Sequence, residues 1–177
     1  MAPQRLRAIA TAVRVHDQLT GVLLTRSEFM RRAERKLSRS EAATLLLFDI
    51  DRLKPVNDML GYEAVDAMLV ALARRVKLAA MGNLVGRYGG DEFVVLVDGE
   101  PRARELLEGI RADFAEQFCA ERTRTRTKLP DLCDVPLLTF SAGAATRASS
   151  LETLPQLVRR CDTGLSEAKS SGRDCVR

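Results

Sequence analysis

The chain has 177 residues, enough for one domain with its own core. Hydrophobic residues make up 46%, tryptophan is absent and the net charge is +4, a mild balance that suits an anionic ligand such as a polyphosphate and does not call for nucleic acid. No apolar run approaches the roughly 20 residues of a membrane-spanning helix, so no membrane segment is expected in this chain.

Residues 4–15 read as a short basic helix. With the start MAPQRLRAIATAVRVHD lacking a signal-peptide pattern, residues 1–16 fit either the end of a signalling linker or a true N-terminus. The loop HDQLTG follows, and Ser27 is the expected N-cap of a helix through SEFMRRAERKLSR. TLLLFDID, residues 44–51, is a continuous apolar run ending in acids and predicts a buried strand. Pro55 permits only a turn or a helix start. From about Asn57 to Ala80 the pattern is helical and breaks near Gly61, with Met68, Leu69, Leu72, Val76 and Ala79 on one face.

LVGRYGGDEFVVLV predicts a hairpin, with Gly89-Gly90 expected in a type I′ turn. Residues 101–119 form a further predicted helix. ERTRTRTKLP reads as a solvated loop or a charge-protected edge strand. VPLLTFSAGAAT, residues 135–146, is a strand, and LPQLVRRCDTGLSEAKS is a helix closed by Gly172 at C′. DCVR is a candidate last strand. None of Cys119, Cys133, Cys161 and Cys175 forms a C-x-x-C pair, so reduced thiols and a cytoplasmic setting are expected. The element order predicts an α+β sandwich. Its sheet is mixed and mostly antiparallel, with flanking helices of the split βαβ, ferredoxin-like type.

In such a sheet the first strand neighbours the hairpin. Asp49 then meets Asp91 and Glu92 at one sheet edge, although 42 residues separate them. Clustered carboxylates repel unless a positive charge sits among them. Hard divalent cations take oxygen ligands, and Mg²⁺ is commonly shared between carboxylates and substrate phosphates. The plain alternative is an exposed hairpin with acidic turn residues.

GGDEF, residues 89–93, resembles the signature of the GGDEF diguanylate cyclases, a nucleotide-cyclase or polymerase-palm type of fold with the signature on a β-hairpin. Five further motifs resemble the same family in order: DQLTG at 17–21, FDIDRLKPVND at 48–58, Gly61-Tyr62 with Asp66, Ser141 with Gly143, and Lys169 with Gly172-Arg173. The resemblance spans residues 17–173 and makes residues 17–177 the expected domain. It implies an enzyme that condenses two GTP into cyclic di-GMP and two pyrophosphates. It also implies Mg²⁺ or Mn²⁺, a homodimer and an upstream sensor or receiver domain. The alternative is a module that binds GTP or cyclic di-GMP and regulates a partner without turnover.

Carried over by position, Asp49, the Ile50 carbonyl, Asp91 and Glu92 are the implied metal ligands. Asp91 or Glu92 also helps deprotonate the 3′-hydroxyl. Lys54 contacts the terminal phosphates, with backbone amides near Arg52 and Leu53, and with Lys169 and Arg173. Gly89 and Gly90 let the nucleotide approach the backbone. Asn57 and Asp66 read guanine, whose N1–H and exocyclic amine are both donors. Tyr62 stands where the family has His, Val65 where it has Gly, and Thr25 where it has Asn. Val65, beside Asp66, is expected to reshape the guanine pocket. Ala80-Met81-Gly82-Asn83 stands where many members carry R-x-x-D, a product-binding site, so no product inhibition is expected there.

Overall fold

Strand β1, Ala43–Ile50, is buried along its whole length. That is the condition of a central strand covered on both faces, and it explains why its sequence is a run rather than an alternation. The computed structural model describes residues 14–39, 42–112 and 138–177. Before β1 comes α1, Arg26–Leu37; after it come α2, Leu53–Leu60, and α3, Tyr62–Ala79. The hairpin strands are β2, Leu84–Arg87, and β3, Glu92–Asp98. Helix α4 covers residues 100–112. Strand β4, Phe140–Thr146, and helix α5, Leu154–Ser170, complete the order.

The sheet runs β2-β3-β1-β4, and its neighbours are antiparallel. The α+β reading therefore holds, as a four-stranded antiparallel sheet with helices on both faces. Side-chain alternation sorts the core into two layers. Leu46, Phe48 and Ile50 of β1 meet Phe93, Val95 and Val97 of β3 under α2, α3 and α4. Leu45 and Leu47 of β1 meet Val94 and Leu96 under α1 and α5. Phe48 anchors the first layer, stacked on Phe93 at 5.3 Å between ring centroids and tilted against Phe140 at 5.4 Å.

Both sheet edges are covered. Leu24 bonds along β2 through Leu24 N to Val85 O and Arg87 N to Leu24 O. The last residues pair with β4 through Ala142 N to Cys175 O and Arg177 N to Ala142 O. This is the short closing strand expected from DCVR, reduced to a single parallel bridge between Ala142 and Val176. Edge backbone groups would otherwise be unpaired.

Three local expectations change. The N-cap of α1 is Thr25, not Ser27: its hydroxyl accepts from the Glu28 amide. Threonine and asparagine both cap helices, so the departure at this position keeps the function of the residue. Neither Gly89 nor Gly90 has a positive φ, so the hairpin does not turn through a type I′ pair. Four residues, 88–91, separate the strands, and the Tyr88 amide donates to the Glu92 carbonyl at 2.8 Å. Strand β4 starts at Phe140; just before it the Thr139 carbonyl accepts from the Asp51 amide at 2.8 Å, and residues 135–137 of the expected strand lie outside the described residues. Most of the basic segment at 4–15, the end of the helix read over 101–119 and the run ERTRTRTKLP lie outside the described residues; Arg14 and Val15 are not helical.

Helix α5 matches its predicted span and begins with a capping box between Thr153 and Gln156. It presses unusually close to β4. A Cβ built on Gly143 would stand 1.9 Å from the Cys161 carbonyl oxygen. Gly164 faces it, with its own Cβ position 3.3 Å from the Gly143 Cα. This crossing accounts for the glycine of the S-x-G motif. Gly143→Ala should cost at least about 1–3 kcal/mol of stability, since backbone cannot yield as a side chain can. Gly109→Ala, at an exposed position of α4 with nothing among the described residues within 4 Å of its Cβ position, should add roughly 0.5–1 kcal/mol. Urea denaturation of the two variants checks both signs.

Candidate functional site

Acidic side chains gather at one end of the sheet because of the strand register. Asp49, near the end of β1, lies directly opposite Glu92 of β3 on one side and Ser141 of β4 on the other. The Ile50 amide reaches the Asp91 carbonyl at 3.4 Å, which ties the signature turn to β1. Two residues of the same cross-strand pair share a sheet face. Asp49 and Glu92 therefore stand on the α5 side of the sheet. The register thus brings Asp49 beside Glu92 and the end of β1 beside the Asp91 backbone.

Asp49 is only 8% exposed. Burial pushes its carboxyl pKa up to about 6, and the charges of Asp91 and Glu92 add to the rise. Lys169, from the last turn of α5, opposes the shift with its ammonium 2.9 Å from Asp49 Oδ1. One ammonium does not offset three carboxylates. That excess of negative charge fits a divalent cation, whose oxygen ligands Asp49, Glu92, Asp91 and the Ile50 carbonyl could supply. Among the described residues, however, no three His, Cys, Asp or Glu side chains stand together closely enough to hold a metal.

The signature glycines have separate duties. A Cβ on Gly89 would fall 2.2 Å from Glu92 Oε2, so this glycine makes room for the Glu92 carboxylate. Gly90 has open space around its Cβ position. Its carbonyl accepts from the Arg87 guanidinium at 3.1 Å through Nε. Arg87 also pairs with Asp17 at 3.2 Å. Asp17 accepts from the Thr20 amide at 2.9 Å, so DQLTG is a closed turn fastened to the signature hairpin. Burial works against it, yet the Thr20 hydrogen bonds and the Arg87 charge hold the Asp17 carboxyl below its usual range. The sequence reading assigned Arg87 no part, although its place two residues before the glycines marked it.

The β1–α2 connection bends sharply. Arg52 is exposed and lies in the left-handed region at φ 54°, as the N-cap of α2 without a side-chain cap. Leu53 is buried while Lys54 is exposed on the first turn. The first amides of α2 lack a side-chain partner at this cap, which suits an anion. Farther along α2, the Asn57 side-chain oxygen is buried with no hydrogen-bond partner among the described residues. Such a group is uncommon and calls for a reason. Asp66 is exposed, and Tyr62 is 75% exposed.

Val65 departs from expectation. It is 2% exposed and belongs to the core beneath α3. Adjacent helical residues diverge by about 100° around the axis, so Val65 packs inward while Asp66 faces solvent. The valine therefore does not crowd Asp66. Ala80-Met81-Gly82-Asn83 forms a tight turn with Met81 at φ 46° and Gly82 at φ 86°. The Asn83 amide nitrogen donates to the Ala80 carbonyl at 2.8 Å, and its oxygen accepts from Lys36 at 3.2 Å.

Asp51 has a part that the sequence reading did not give it. It is 4% exposed. It accepts from Thr139 Oγ1 at 2.7 Å, Ser141 Oγ at 2.8 Å and the Asp174 amide at 3.1 Å. Arg173 Nε stands 4.0 Å away. Lys169 and Arg173 thus come to the acidic end of β1 from the far end of the chain.

Comparison with known proteins agrees with this arrangement. Residues 14–175 match the family described as "Diguanylate cyclase, GGDEF domain". The chain is 35% identical to diguanylate cyclase DgcM of Escherichia coli K12 over 168 residues, 91% of this chain and 37% of that protein. It is 32% identical to the probable diguanylate cyclase DgcC of the same organism, over 97% of this chain and 44% of that one. It therefore spans less than half the length of these relatives. The GGDEF domain of DgcB from Caulobacter crescentus, solved in complex with c-di-GMP, superposes with a TM-score of 0.79 at 26% identity. That match covers 92% of this chain and 94% of the other. Diguanylate cyclase SiaD of Pseudomonas aeruginosa, solved with its activator SiaC, gives 0.72 at 28% identity, over 92% of this chain and 61% of that one.

The raised Asp49 pKa has a stability consequence. Its folded pKa of about 6 lies above the ordinary 3.8, so ionised Asp49 costs stability. The cost is complete above the folded value, shrinks as pH falls toward 3.8 and is gone below it. In chelator, Asp49→Asn should raise the melting temperature at pH 8 and lose that advantage by pH 4. Equal gains at both pH values would contradict the assignment.

Proposed function

Since the chain belongs to the GGDEF diguanylate cyclase family, we propose that it condenses two GTP molecules into cyclic di-GMP and two pyrophosphates. The observation that carries this reading is the register that sets Asp49 against Glu92 beside Asp91, with Asp49 pushed up to about 6. Such a site favours cations, and GTP brings its phosphates with them. Bound Mg²⁺ or Mn²⁺ would supply charge neutralisation to the reacting phosphate.

The protein's own residues have distinct tasks in this reading. Asp49, the Ile50 carbonyl, Asp91 and Glu92 hold the cations. The left-handed Arg52 opens the first amides of α2, near Leu53, to the terminal phosphates, and Lys54 adds its charge. Lys169, 2.9 Å from Asp49, and Arg173, 4.0 Å from Asp51, stand at the same end of the sheet and offer their charges to phosphate. Gly89 and Gly90 keep the hairpin backbone open. The unpartnered Asn57 oxygen and the exposed Asp66 accept from the guanine N–H groups, which adenine would not offer in that pattern.

Each subunit holds one GTP, and two sites face each other in a homodimer. The 3′-hydroxyl oxygen of one GTP bonds to the α-phosphorus of the other. The bond to the bridging oxygen breaks, pyrophosphate leaves, and the hydroxyl proton passes to Asp91 or Glu92. Repetition in the opposite sense closes the ring. In-line displacement of this kind depends on positioning and charge more than on covalent help.

A second reading is a module that binds GTP or cyclic di-GMP without turnover. It draws on the Lys169–Asp49 pair and on the want of a three-ligand cluster among the described residues. Incubation of concentrated protein with GTP and Mg²⁺, followed by chromatography, separates the two. Cyclic di-GMP should form, and Asp91→Ala or Glu92→Ala should lower the rate at least about 100-fold. GTP binding without product would favour the second reading. Added cyclic di-GMP at micromolar concentration should not slow turnover, because Asn83 is already engaged and Ala80 offers no charge.

A further inference from the structure

The turn after α5 is held in a conformation that its own sequence does not favour. Gly172, Arg173 and Asp174 have φ of 110°, 69° and 47° in succession. Two of the three are not glycine, and left-handed backbone is strained for them. Such strain persists only where the surroundings fix it. Helix α5 fixes one part, because the Arg173 amide donates back to the Ala168 carbonyl at 3.0 Å, closing the helix end. Arg111 of α4 fixes another, donating to the Asp174 carbonyl at 3.1 Å and its carboxylate at 2.9 Å. The third anchor is Asp51, whose Oδ2 accepts from the Asp174 amide at 3.1 Å.

We propose that Asp51 is a positioning residue whose buried carboxylate clamps this turn, and through it aims Lys169 and Arg173 at the phosphates of a bound nucleotide. The inference rests on the reading of the site as a GTP site. Asp51 is itself fixed by Thr139, just before β4, and by Ser141 of β4, at 2.7 and 2.8 Å. Among the described residues its donors come from the segments that must stay in register: the start of β4 and the turn after α5. Arg173 Nε stands 4.0 Å from it. A carboxylate this buried would be unfavourable without such partners. The serine of S-x-G and the arginine of K-x-x-G-R are thereby brought to one side chain just after β1. Asp51 does not touch the reacting atoms in this scheme; it sets the two cations that do touch phosphate.

The test uses the full chain as Asp51→Ala, Asp51→Asn and Arg111→Ala. Arg111 is on the surface and only braces the opposite side of the turn, so its variant remains informative if the Asp51 variants fail to fold. Amide hydrogen exchange is read at Arg173 and Asp174. Affinity is read by calorimetry for inorganic tripolyphosphate, GTP and guanosine, all with Mg²⁺. Exchange at Asp174 should quicken in all three variants. In Asp51→Ala the affinities for GTP and tripolyphosphate should fall about 10-fold while guanosine changes less than about 2-fold. Asp51→Asn, which keeps an acceptor oxygen, should lose less, and Arg111→Ala should lose about 3-fold. A folded variant with unchanged phosphate affinity, or one that loses guanosine and GTP equally, would overturn the clamp. Wild-type protein that binds tripolyphosphate and not GTP would overturn the nucleotide reading instead, leaving the clamp to be judged on tripolyphosphate alone.

Discussion

Everything at the site depends on holding carboxylates at the end of a buried central strand. β1 is apolar because it is covered on both faces, yet Asp49 near its end and Asp51 just beyond it are acids, both nearly inaccessible. Ionised side chains there are unfavourable unless paired. The two carboxylates meet this demand differently. Asp51 has three donors among the described residues, from the start of β4 and the turn after α5. Asp49 has one ammonium against two further acids, and its pKa rises to about 6. One is a satisfied strut and the other a site with charge left over. That contrast, within two residues of one strand, separates architecture from chemistry.

Close packing of α5 makes this possible. The Gly143–Gly164 crossing brings the helix against β4, and the last turn of α5 then reaches the acidic end of β1 with Lys169. A larger residue at either glycine would lift the helix and withdraw the ammonium. On the other side of β1, Arg87 ties the Asp17 turn to the Gly90 carbonyl. The segment that enters the domain is thus mechanically joined to the signature hairpin. The sheet itself, with both edges covered, supplies the rigid frame on which a site must be built.

Several features were legible in the chain alone. The apolar run of β1, the Gly61 break and the span of α5 follow from periodicity and capping, which are local properties. The meeting of Asp49 with Asp91 and Glu92 followed from the topology implied by a hairpin within an α/β alternation. Other features were not legible. Gly89-Gly90 looked like a type I′ turn, but the connection is longer and Gly89 is needed for the volume of the Glu92 carboxylate. Val65 looked like an intruder beside Asp66, although the helix turns it into the core. Ser27 looked like a cap, but the cap is the residue whose hydroxyl meets the Glu28 amide.

By itself the sequence determined which elements form, which carboxylates and cations are available, and the family whose motifs they spell. Those follow from near-neighbour patterns along the chain. Only the tertiary structure decided which carboxylate is satisfied and which carries unbalanced charge. Asp49 and Asp51 are the same residue type, two positions apart at the end of β1. What distinguishes them is the set of donors delivered by β4, α5 and the final turn, from more than 80 residues away. Electrostatic environment is a property of three-dimensional neighbours, and no reading of local spacing contains it.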